Sequence, residues 1–310
     1  MNPQSRTAPR GFTVGICASD SARQLPGLLT FLANEDYGQH FSLRKVVIVA
    51  SGCPESVLAR VRSIIASDPR FSLLVEPERK GKAEAINRIT ERSSGEFLVM
   101  LNSDAFPTEG SIRNLLGVAE DESVGAVSAE PIFGDGGGLF QSALALLWSV
   151  HNLMSLRLNH AGISNHACDE LIVVRRDLMS TFPPNIVNDG AYIGGLARAQ
   201  GLQVKFSTAA KVKISTPHVP VDLIRQRRRI IFGHVQVWRK LGSPPKTAES
   251  MLFMDPRVSL RALVGILSRR PRLILAFPLV VAGESVAVLM ALLDAAHSTD
   301  RHIVWRRNAE

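Results

Sequence analysis

From residue 11 onward the chain alternates short apolar runs with segments whose apolar residues recur at helical spacing. Phe97–Leu101 is apolar throughout, a pattern typical of a strand buried on both faces. This first part predicts strands at Phe12–Cys17, Val46–Ala50, Phe71–Val75 and Phe97–Leu101, and helices at Ala22–Ala33, Glu55–Ala66 and Lys82–Arg92. Strict alternation of strand and helix predicts an α/β fold whose parallel strands are joined by right-handed crossovers.

The second part of the chain has a less regular pattern. Leu139–Leu158 predicts a long helix with a broad apolar face, which either packs on the sheet or lies in a membrane interface. Further predicted elements are a strand at Glu170–Arg175, a helix at Tyr192–Gln200, short strands at Val204–Phe206 and Val212–Ile214, and a basic helix at Leu223–Trp238. We therefore expect a flexible tail over 1–10, an α/β domain over 11–218, basic amphipathic helices over 219–268 and an apolar helix with a basic tail over 269–310.

Charge changes this picture because it is unevenly spread. Residues 1–204 hold 18 Lys and Arg against 21 Asp and Glu, whereas residues 205–310 hold 18 against 7. The basic half also contains the longest apolar run, and aromatic residues make up only 6% of the chain. This combination favours an anionic membrane surface as partner and argues against nucleic acid, which would need aromatic side chains for base stacking.

Cysteine usage and the N-terminus bear on the compartment. The chain has three cysteines, Cys17, Cys53 and Cys168, far apart and without histidines at metal-ligand spacing. This excludes a disulfide framework or a zinc site as organising features and suits a reducing compartment. The first ten residues are polar and lack the apolar segment of a signal peptide, so none is predicted.

The apolar stretch Leu273–Leu293 decides the expected localisation. Its 21 residues include one charge, Glu284, and as a helix they would measure about 31 Å, close to the thickness of a bilayer core. In a simple span, Glu284 at mid-membrane would cost about 2.5–3.5 kcal/mol. The arginines beyond residue 300 would also have to cross the bilayer, against the positive-inside rule. A span or re-entrant hairpin, an in-plane helix and an ordinary buried helix all stay open. The first two place the protein at the inner membrane, with the α/β domain on its cytoplasmic face.

Four polar segments follow or precede these elements where an α/β sheet gathers its ligands. Asn102-Ser103-Asp104 ends a buried strand, and its carboxylate either holds a divalent cation or caps the next helix. Arg79-Lys80-Gly81-Lys82 either attracts phosphate at a helix start or is a solvated turn. Asn188-Asp189-Gly190 either supplies a reactive carboxylate or an N-cap. Gln226-Arg227-Arg228-Arg229 either meets a diphosphate or faces a membrane.

The order of these segments resembles the family-2 glycosyltransferases, which have the GT-A fold. Val14–Asp20 is similar to the opening strand and turn of that family, and Val46–Gly52 to its second strand. Arg79–Asn87 resembles the Lys-Ala-x-x-x-Asn helix start. Asn102-Ser103-Asp104 stands at the position of the DxD motif, and Gln226–Arg229 resembles the QxxRW motif of the membrane-associated subgroup.

The resemblance implies an inverting transfer of a hexosyl or N-acetylhexosaminyl group from a nucleoside-diphosphate sugar, a UDP-sugar above all. The implied acceptor is lipid-linked or part of a surface polysaccharide. Asp189 would be the general base, and Asp104 would hold Mg²⁺ or Mn²⁺ on the diphosphate. The implied donor-binding residues are Ala18, Asp20, Ser51, Lys80, Lys82, Asn102, Ser103, Gln226 and Arg229.

The sequence also departs from the family pattern. Asn102 replaces the first carboxylate of the DxD motif, Ala50-Ser51 replaces an acidic pair, and Ile230 replaces the final Trp of QxxRW. Loss of the Trp argues against processive synthesis and favours addition of a single sugar. The same departures leave open a nucleotide-sugar-binding scaffold without catalysis. A nucleotidyltransferase is disfavoured because the first strand is not followed by a glycine-rich loop.

Overall fold

The structure is a computed structural model that describes residues 8–19, 22–134, 137–179, 181–247, 250–251, 255–297 and 302–304. The strands are β1 (Arg10–Ala18), β2 (Phe41–Ser51), β3 (Phe71–Glu76), β4 (Phe97–Asn102), β5 (Ala105–Pro107), β6 (Val124–Ile132), β7 (Leu171–Arg175) and β8 (Gln203–Ile214). The helices are α1 (Leu25–Asn34), α2 (Glu55–Ile65), α3 (Lys82–Arg92), α4 (Ser111–Ala119), α5 (Leu139–His160), α6 (Asp189–Ala199), α7 (Pro220–Leu241), α8 (Pro256–Arg269) and α9 (Phe277–Ala296).

Within the described residues the strands form one mixed sheet in the order β3-β2-β1-β4-β7-β6-β8-β5. The first four strands are parallel, as the alternation of strands and helices predicts. Strand β7 runs antiparallel to both β4 and β6. In its register Leu171 pairs with Leu101, so the residues just before β7 lie beside the carboxyl end of β4.

Helices cover both faces of the sheet because successive strand residues point to opposite sides. On one face, leucines of α1 and α4 pack with Val14, Ile16 and Val99. On the other face, isoleucines of α3 and α6 pack with alternate residues of β2 and β4, such as Val47 and Met100. Both faces of the central strands are therefore buried, which is why their sequences are continuously apolar.

Several elements differ from the sequence-based expectation, among them the unpredicted short strand β5. The two short strands expected between residues 204 and 214 are one strand, β8, whose pairing with β6 shifts register at Ala129/Glu130. Strand β6 was not predicted because its glycine, alanines, serine and proline dilute the apolar pattern. Helix α6 begins at Asp189, three residues before the predicted start, since Asn188 caps it.

The C-terminal helices pack on the α/β domain and on one another. Val237 of α7 belongs to the core cluster beneath the sheet. Helix α9 turns small buried residues, Ala287 and Ala291, toward Ile231 and Phe232 of α7. A 3-10 turn, Pro271–Ala276, joins α8 to α9. Larger apolar residues of α8, this turn and α9 stay exposed: Leu260, Val264, Ile274, Leu275, Leu279, Val281, Val286, Leu289, Leu292 and Leu293.

Candidate active site

A cleft of about 220 Å³ opens at the carboxyl ends of β1, β2 and β4. It brings together nine of the residues expected from the sequence: Ala18, Ser51, Lys82, Asn102, Ser103, Asp104, Asp189, Gln226 and Arg229. Lys80 is exposed and is not among the lining residues, because the turn before α3 directs Arg79 to the cleft instead. Asp20 lies outside the described residues. Asp169 and Glu170, which sequence reasoning missed, also line the cleft.

The acidic turn after β4 does not serve as a helix cap. Asp104 lies between β4 and β5, and its backbone oxygen accepts a hydrogen bond from the Ser215 hydroxyl at 3.3 Å. The following helix, α4, begins only at Ser111 with Gly110 at its N-cap. Asn102 donates a hydrogen bond to the Glu170 carboxylate at 3.1 Å. A carboxylate from the start of β7 thus meets the amide that stands in place of the first DxD acid.

At the start of α6 the cap and the cleft carboxylate are separate residues. The Asn188 side chain accepts a hydrogen bond from the Ala191 backbone N–H at 2.9 Å and so caps the helix. Asp189 is therefore not needed as a cap, and it is buried with 5% of its surface exposed. A side chain at Gly190 would come within 2.3 Å of the Ala167 carbonyl oxygen. This close approach brings the helix start against the segment that carries Asp169.

Lys82 connects the two aspartates. Its Nζ lies 2.7 Å from Oδ2 of Asp169 and 2.9 Å from Oδ2 of Asp189. Because α3 begins at Lys82, the ammonium group comes from a helix start, Asp169 from the segment before β7, and Asp189 from the start of α6. Three separate elements thus meet in one charged cluster. The lysine expected to meet phosphate has two carboxylate partners.

This cluster changes the acidity of its members. Burial raises the pKa of Asp189 to about 6, and the negative charge of Asp169 adds to the shift while Lys82 opposes it. Burial acts in the same direction on Asp169, but the ammonium of Lys82 outweighs it and holds the pKa of Asp169 below its usual value. Burial alone would lower the pKa of Lys82, yet the two carboxylates raise it. Lys82 and Asp169 therefore stay charged at neutral pH, and Asp189 is poised to exchange a proton.

Glu170 and Cys17 complete the titratable lining. Burial, together with the charges of Asp169 and Asp104, raises the pKa of Glu170 to about 8. Burial also raises the pKa of the Cys17 thiol to about 12, so it stays neutral. Burial is the larger cause of the shift at Glu170, and the charges of Asp169 and Asp104 make this end of the cleft electronegative.

Helix α7 divides the Gln226–Arg229 segment between two surfaces. Gln226 and Arg229 line the cleft, and Arg229 donates hydrogen bonds to the backbone oxygens of Val187 and His302 at 3.1 and 3.3 Å. The arginines between them point to α9. Nε of Arg227 lies 2.7 Å from Oε1 of Glu284, and Arg228 pairs with Asp294.

Glu76 and Asn87 support the cleft without lining it. The Ser51 hydroxyl donates a 2.6 Å hydrogen bond to buried Glu76 at the end of β3. The Asn87 side chain bonds both the N–H and the carbonyl oxygen of Phe182, at 2.7 and 2.9 Å. The asparagine of the α3 motif thus fixes the loop that leads to α6 and Asp189.

The lining offers partial ligation for a divalent cation. In the described part of the chain no three His, Cys, Asp or Glu side chains are placed to hold an ion by themselves. Asp104 nevertheless supplies a hard oxygen ligand in an electronegative region, which is the chemistry that Mg²⁺ and Mn²⁺ prefer. The residues present fit an ion whose coordination is completed by a ligand such as a diphosphate.

Comparison with known proteins identifies the family of this chain. Residues 13–181, more than half of the chain, match the model for glycosyl transferase family 2. The chain belongs to this family. The match ends before Asp189 and Gln226, so the assignment of these two residues to the site depends on the geometry of the cleft.

Curated relatives of this family-2 chain are N-acetylglucosaminyltransferases. One from Rhizobium meliloti (strain 1021) is 25% identical over 218 residues, which are 66% of this chain and 51% of the relative. One from Bradyrhizobium elkanii is 27% identical over 114 residues, 37% of this chain and 62% of the relative. The chain thus spans less than two thirds of the length of these relatives.

Solved structures share the fold. A mannosyltransferase from Pyrobaculum calidifontis, solved in complex with GDP-Man and Mn²⁺, superposes with a TM-score of 0.65 at 19% identity, covering 95% of this chain and 89% of that one. Glucosyl-3-phosphoglycerate synthase from Mycobacterium tuberculosis, in complex with Mn²⁺, UDP-Glc and phosphoglyceric acid, gives 0.52 at 15% identity, covering 76% and 81%. The expected α/β class and GT-A fold are confirmed.

Proposed function

We propose that this chain is an inverting glycosyltransferase that moves one sugar from a nucleoside-diphosphate sugar to an acceptor hydroxyl. The observation that carries the proposal is the buried Asp189 carboxylate, which lines the same cleft as Asp104 and has a raised pKa of about 6. A base must be ionised yet willing to take a proton near working pH, and this carboxylate meets both requirements.

The reaction follows from the arrangement of the cleft. The acceptor oxygen attacks the anomeric carbon, and Asp189 takes its proton. The bond from that carbon to the diphosphate breaks on the opposite side, and the nucleoside diphosphate leaves with the electron pair. Arg229 and Arg79, both in the lining, contribute positive charge near this developing anion.

Asp104 is the residue that would hold a divalent cation, with Mg²⁺ and Mn²⁺ as the candidates. When bound, such an ion supplies a Lewis acid to diphosphate oxygens. Ala18, Ser51, Asn102 and Ser103 line the nearby wall and would contact the nucleoside. The names of the relatives favour an N-acetylhexosamine as the transferred sugar, and we propose a UDP-sugar as its donor.

The decisive test separates chemistry from binding. Purified protein with Mn²⁺ is assayed with UDP-GlcNAc, UDP-Glc and GDP-Man, by nucleoside-diphosphate release and by donor binding in calorimetry. We expect turnover with one donor class, and we expect Asp189→Asn to lose at least about a hundredfold in kcat with donor affinity retained. Normal turnover by this variant would refute the base assignment. Binding without turnover by the unaltered protein would support the scaffold instead.

The membrane placement of the protein is part of the proposal. Among the residues that the structure describes, two helical stretches are long and apolar enough to cross a bilayer, Leu139–His160 and Pro271–Ala296, with mean hydropathies of 1.2 and 2.2 over 18 residues. Only 17% of that window in the second stretch is buried within the protein. Its inner side is tied to α7 through the pairs of Arg227 with Glu284 and Arg228 with Asp294. These ties favour an in-plane helix at an anionic membrane, with a lipid-linked acceptor approaching from that surface.

Vesicle binding tests this placement. The outward leucines of the 3-10 turn and α9 include Leu275 and Leu289, which are 76% and 62% exposed. The double substitution Leu275→Asp, Leu289→Asp should abolish cosedimentation with vesicles containing anionic lipid while leaving soluble donor hydrolysis intact. Val75→Asp, at an exposed valine of the edge strand β3 outside both apolar helices, is the matched control. Resistance of the unaltered protein to alkaline extraction from membranes would instead indicate a span.

A further inference from the structure

The cluster of Lys82, Asp169 and Asp189 contains a carboxylate to which the transfer chemistry assigns no role. Asp169 precedes β7 and reaches the cleft because β7 runs antiparallel to β4. Its Oδ2 lies 2.7 Å from the Lys82 ammonium, closer than the 2.9 Å to Asp189. Its side chain is 34% exposed, whereas that of Asp189 is 7% exposed.

The charges of the cluster do not cancel. One ammonium faces two carboxylates, so full ionisation leaves a net negative charge in a partly buried site. The negative charge of Asp169 raises the pKa of Asp189, in addition to the effect of burial. Asp169 is the more firmly ionised of the two because Lys82 holds its pKa down, so a proton that enters the cluster goes to Asp189.

Two other groups lie near Asp189. Cys17 of β1 is a neutral thiol. Arg229 of α7 adds a positive charge that acts on Asp189 and Asp169 at longer range, while its hydrogen bonds go to the backbone oxygens of Val187 and His302. Ionic contact with Asp189 thus comes from Lys82 of α3, and the opposing charge comes from Asp169. Without Asp169, the same ammonium would pair with Asp189 alone and make it a weaker base.

We propose that Asp169 is a positioning residue for the transfer reaction, which holds Lys82 away from exclusive pairing with Asp189 and remains the counter-ion of Lys82 once Asp189 has taken the acceptor proton. This inference rests on Asp189 as the base. When Asp189 gains the proton and loses its charge, Lys82 keeps Asp169 as its counter-ion. The ammonium is therefore paired before and after the step, and little electrostatic rearrangement accompanies proton transfer.

The pH profile of the reaction tests the proposal. In the unaltered enzyme, kcat should fall with an acid limb near pH 6, since a raised pKa means that the base is lost as pH drops through that value. In Asp169→Asn the limb should move to lower pH by about one unit or more, and kcat at pH 7.5 should fall about ten- to a hundredfold. The donor KM should stay within about twofold. Asp169→Glu should restore part of kcat.

A second variant keeps the test decisive if Asp169→Asn folds poorly. Lys82→Met removes the cation from the cluster and should move the acid limb in the opposite direction, to higher pH. Asp177→Asn is the matched control. The Asp177 side chain is 74% exposed, so this substitution should leave the pH profile of kcat unchanged.

The outcomes separate this inference from the proposed function. If Asp189→Asn is inactive while Asp169→Asn loses thermal stability without a shift of the limb, Asp169 is merely structural and the inference is overturned. If Asp189→Asn keeps full activity, the base assignment itself fails. Opposite shifts in the Asp169 and Lys82 variants, with donor affinity retained, support the inference.

Discussion

At the scale of single residues, the site depends on close backbone approaches as much as on charge. Gly190 follows the base and packs against the Ala167 carbonyl oxygen, where a side-chain carbon would come within 2.3 Å. Gly194, one turn later in α6, leaves ordinary contact distances of 3.4 Å and more. Both glycines lie in α6, yet the structure predicts that a larger side chain is tolerated at Gly194 and not at Gly190.

Alanine at these positions tests that difference. Gly190→Ala should destabilise the fold by about 1–3 kcal/mol through overpacking and should lower kcat by displacing Asp189 from Lys82. Gly194→Ala should be neutral or stabilise by up to about 1 kcal/mol, the usual gain of alanine over glycine in a helix. Chemical denaturation and kcat measure both effects. Equal losses in the two variants would contradict the contact with Ala167.

At the scale of elements, α6 presents the proposed base, Asp189, to the cleft because its cap is a different residue. Asn188 satisfies the Ala191 N–H, which leaves the Asp189 carboxylate available to the cleft. From the sequence alone, Asp189 could have been either the N-cap of this helix or a reactive carboxylate. Helix α6 starts at Asp189 because Asn188 caps it there. We expect that loss of the cap would shift the helix start and, with it, the proposed base.

Substitution of the cap tests this role. Asn188→Ala should cost about 1 kcal/mol of stability and reduce kcat, whereas Asn188→Ser retains a capping oxygen and should lose less of both. Thermal unfolding and steady-state kinetics provide the measurement. If the serine variant is as impaired as the alanine variant, Asn188 acts through a contact other than the cap.

Strand direction explains which site residues the sequence could reveal. Continuous apolar runs identified the first four parallel strands, and hence the turns at Ser51 and Asn102–Asp104 as neighbours. Asp169 and Glu170 were missed because they precede a strand, and residues before a strand lie at the opposite edge of a parallel sheet. The reversal at β7 brings them to the cleft. The only available signal was a pair of carboxylates next to an apolar strand.

At the scale of the whole molecule, α7 joins the cleft to the apolar surface. Gln226 and Arg229 face the site, while Arg227 and Arg228 hold α9 through Glu284 and Asp294. The Arg227 and Glu284 side chains are 17% and 20% exposed, so their pairing is partly shielded from solvent. Orientation of the cleft relative to the exposed apolar surface of α9 therefore depends on these contacts.

Removal of one charge tests the α7–α9 connection. Glu284→Gln should reduce stability by about 1.5–3 kcal/mol, because it leaves Arg227 without its carboxylate, and should increase hydrogen exchange in α9. Asp222→Asn breaks an exposed pair with Arg225, in which both side chains are nearly half exposed, and should cost no more than about 1 kcal/mol. Unchanged exchange in α9 would show that apolar packing alone fixes the helix.

The sequence by itself determined the α/β class, the four parallel strands, the place of the cleft and the apolar, basic character of the C-terminal half. These features follow from local patterns, since side-chain periodicity and turn residues act over a few neighbours. Only the tertiary structure decided that Lys82 lies between two aspartates, that Asn188 is the cap, and that Glu284 has a counter-ion. The pairings of Lys82 and of Glu284 join residues 57 to 107 positions apart, and chain topology alone brings them within hydrogen-bond distance.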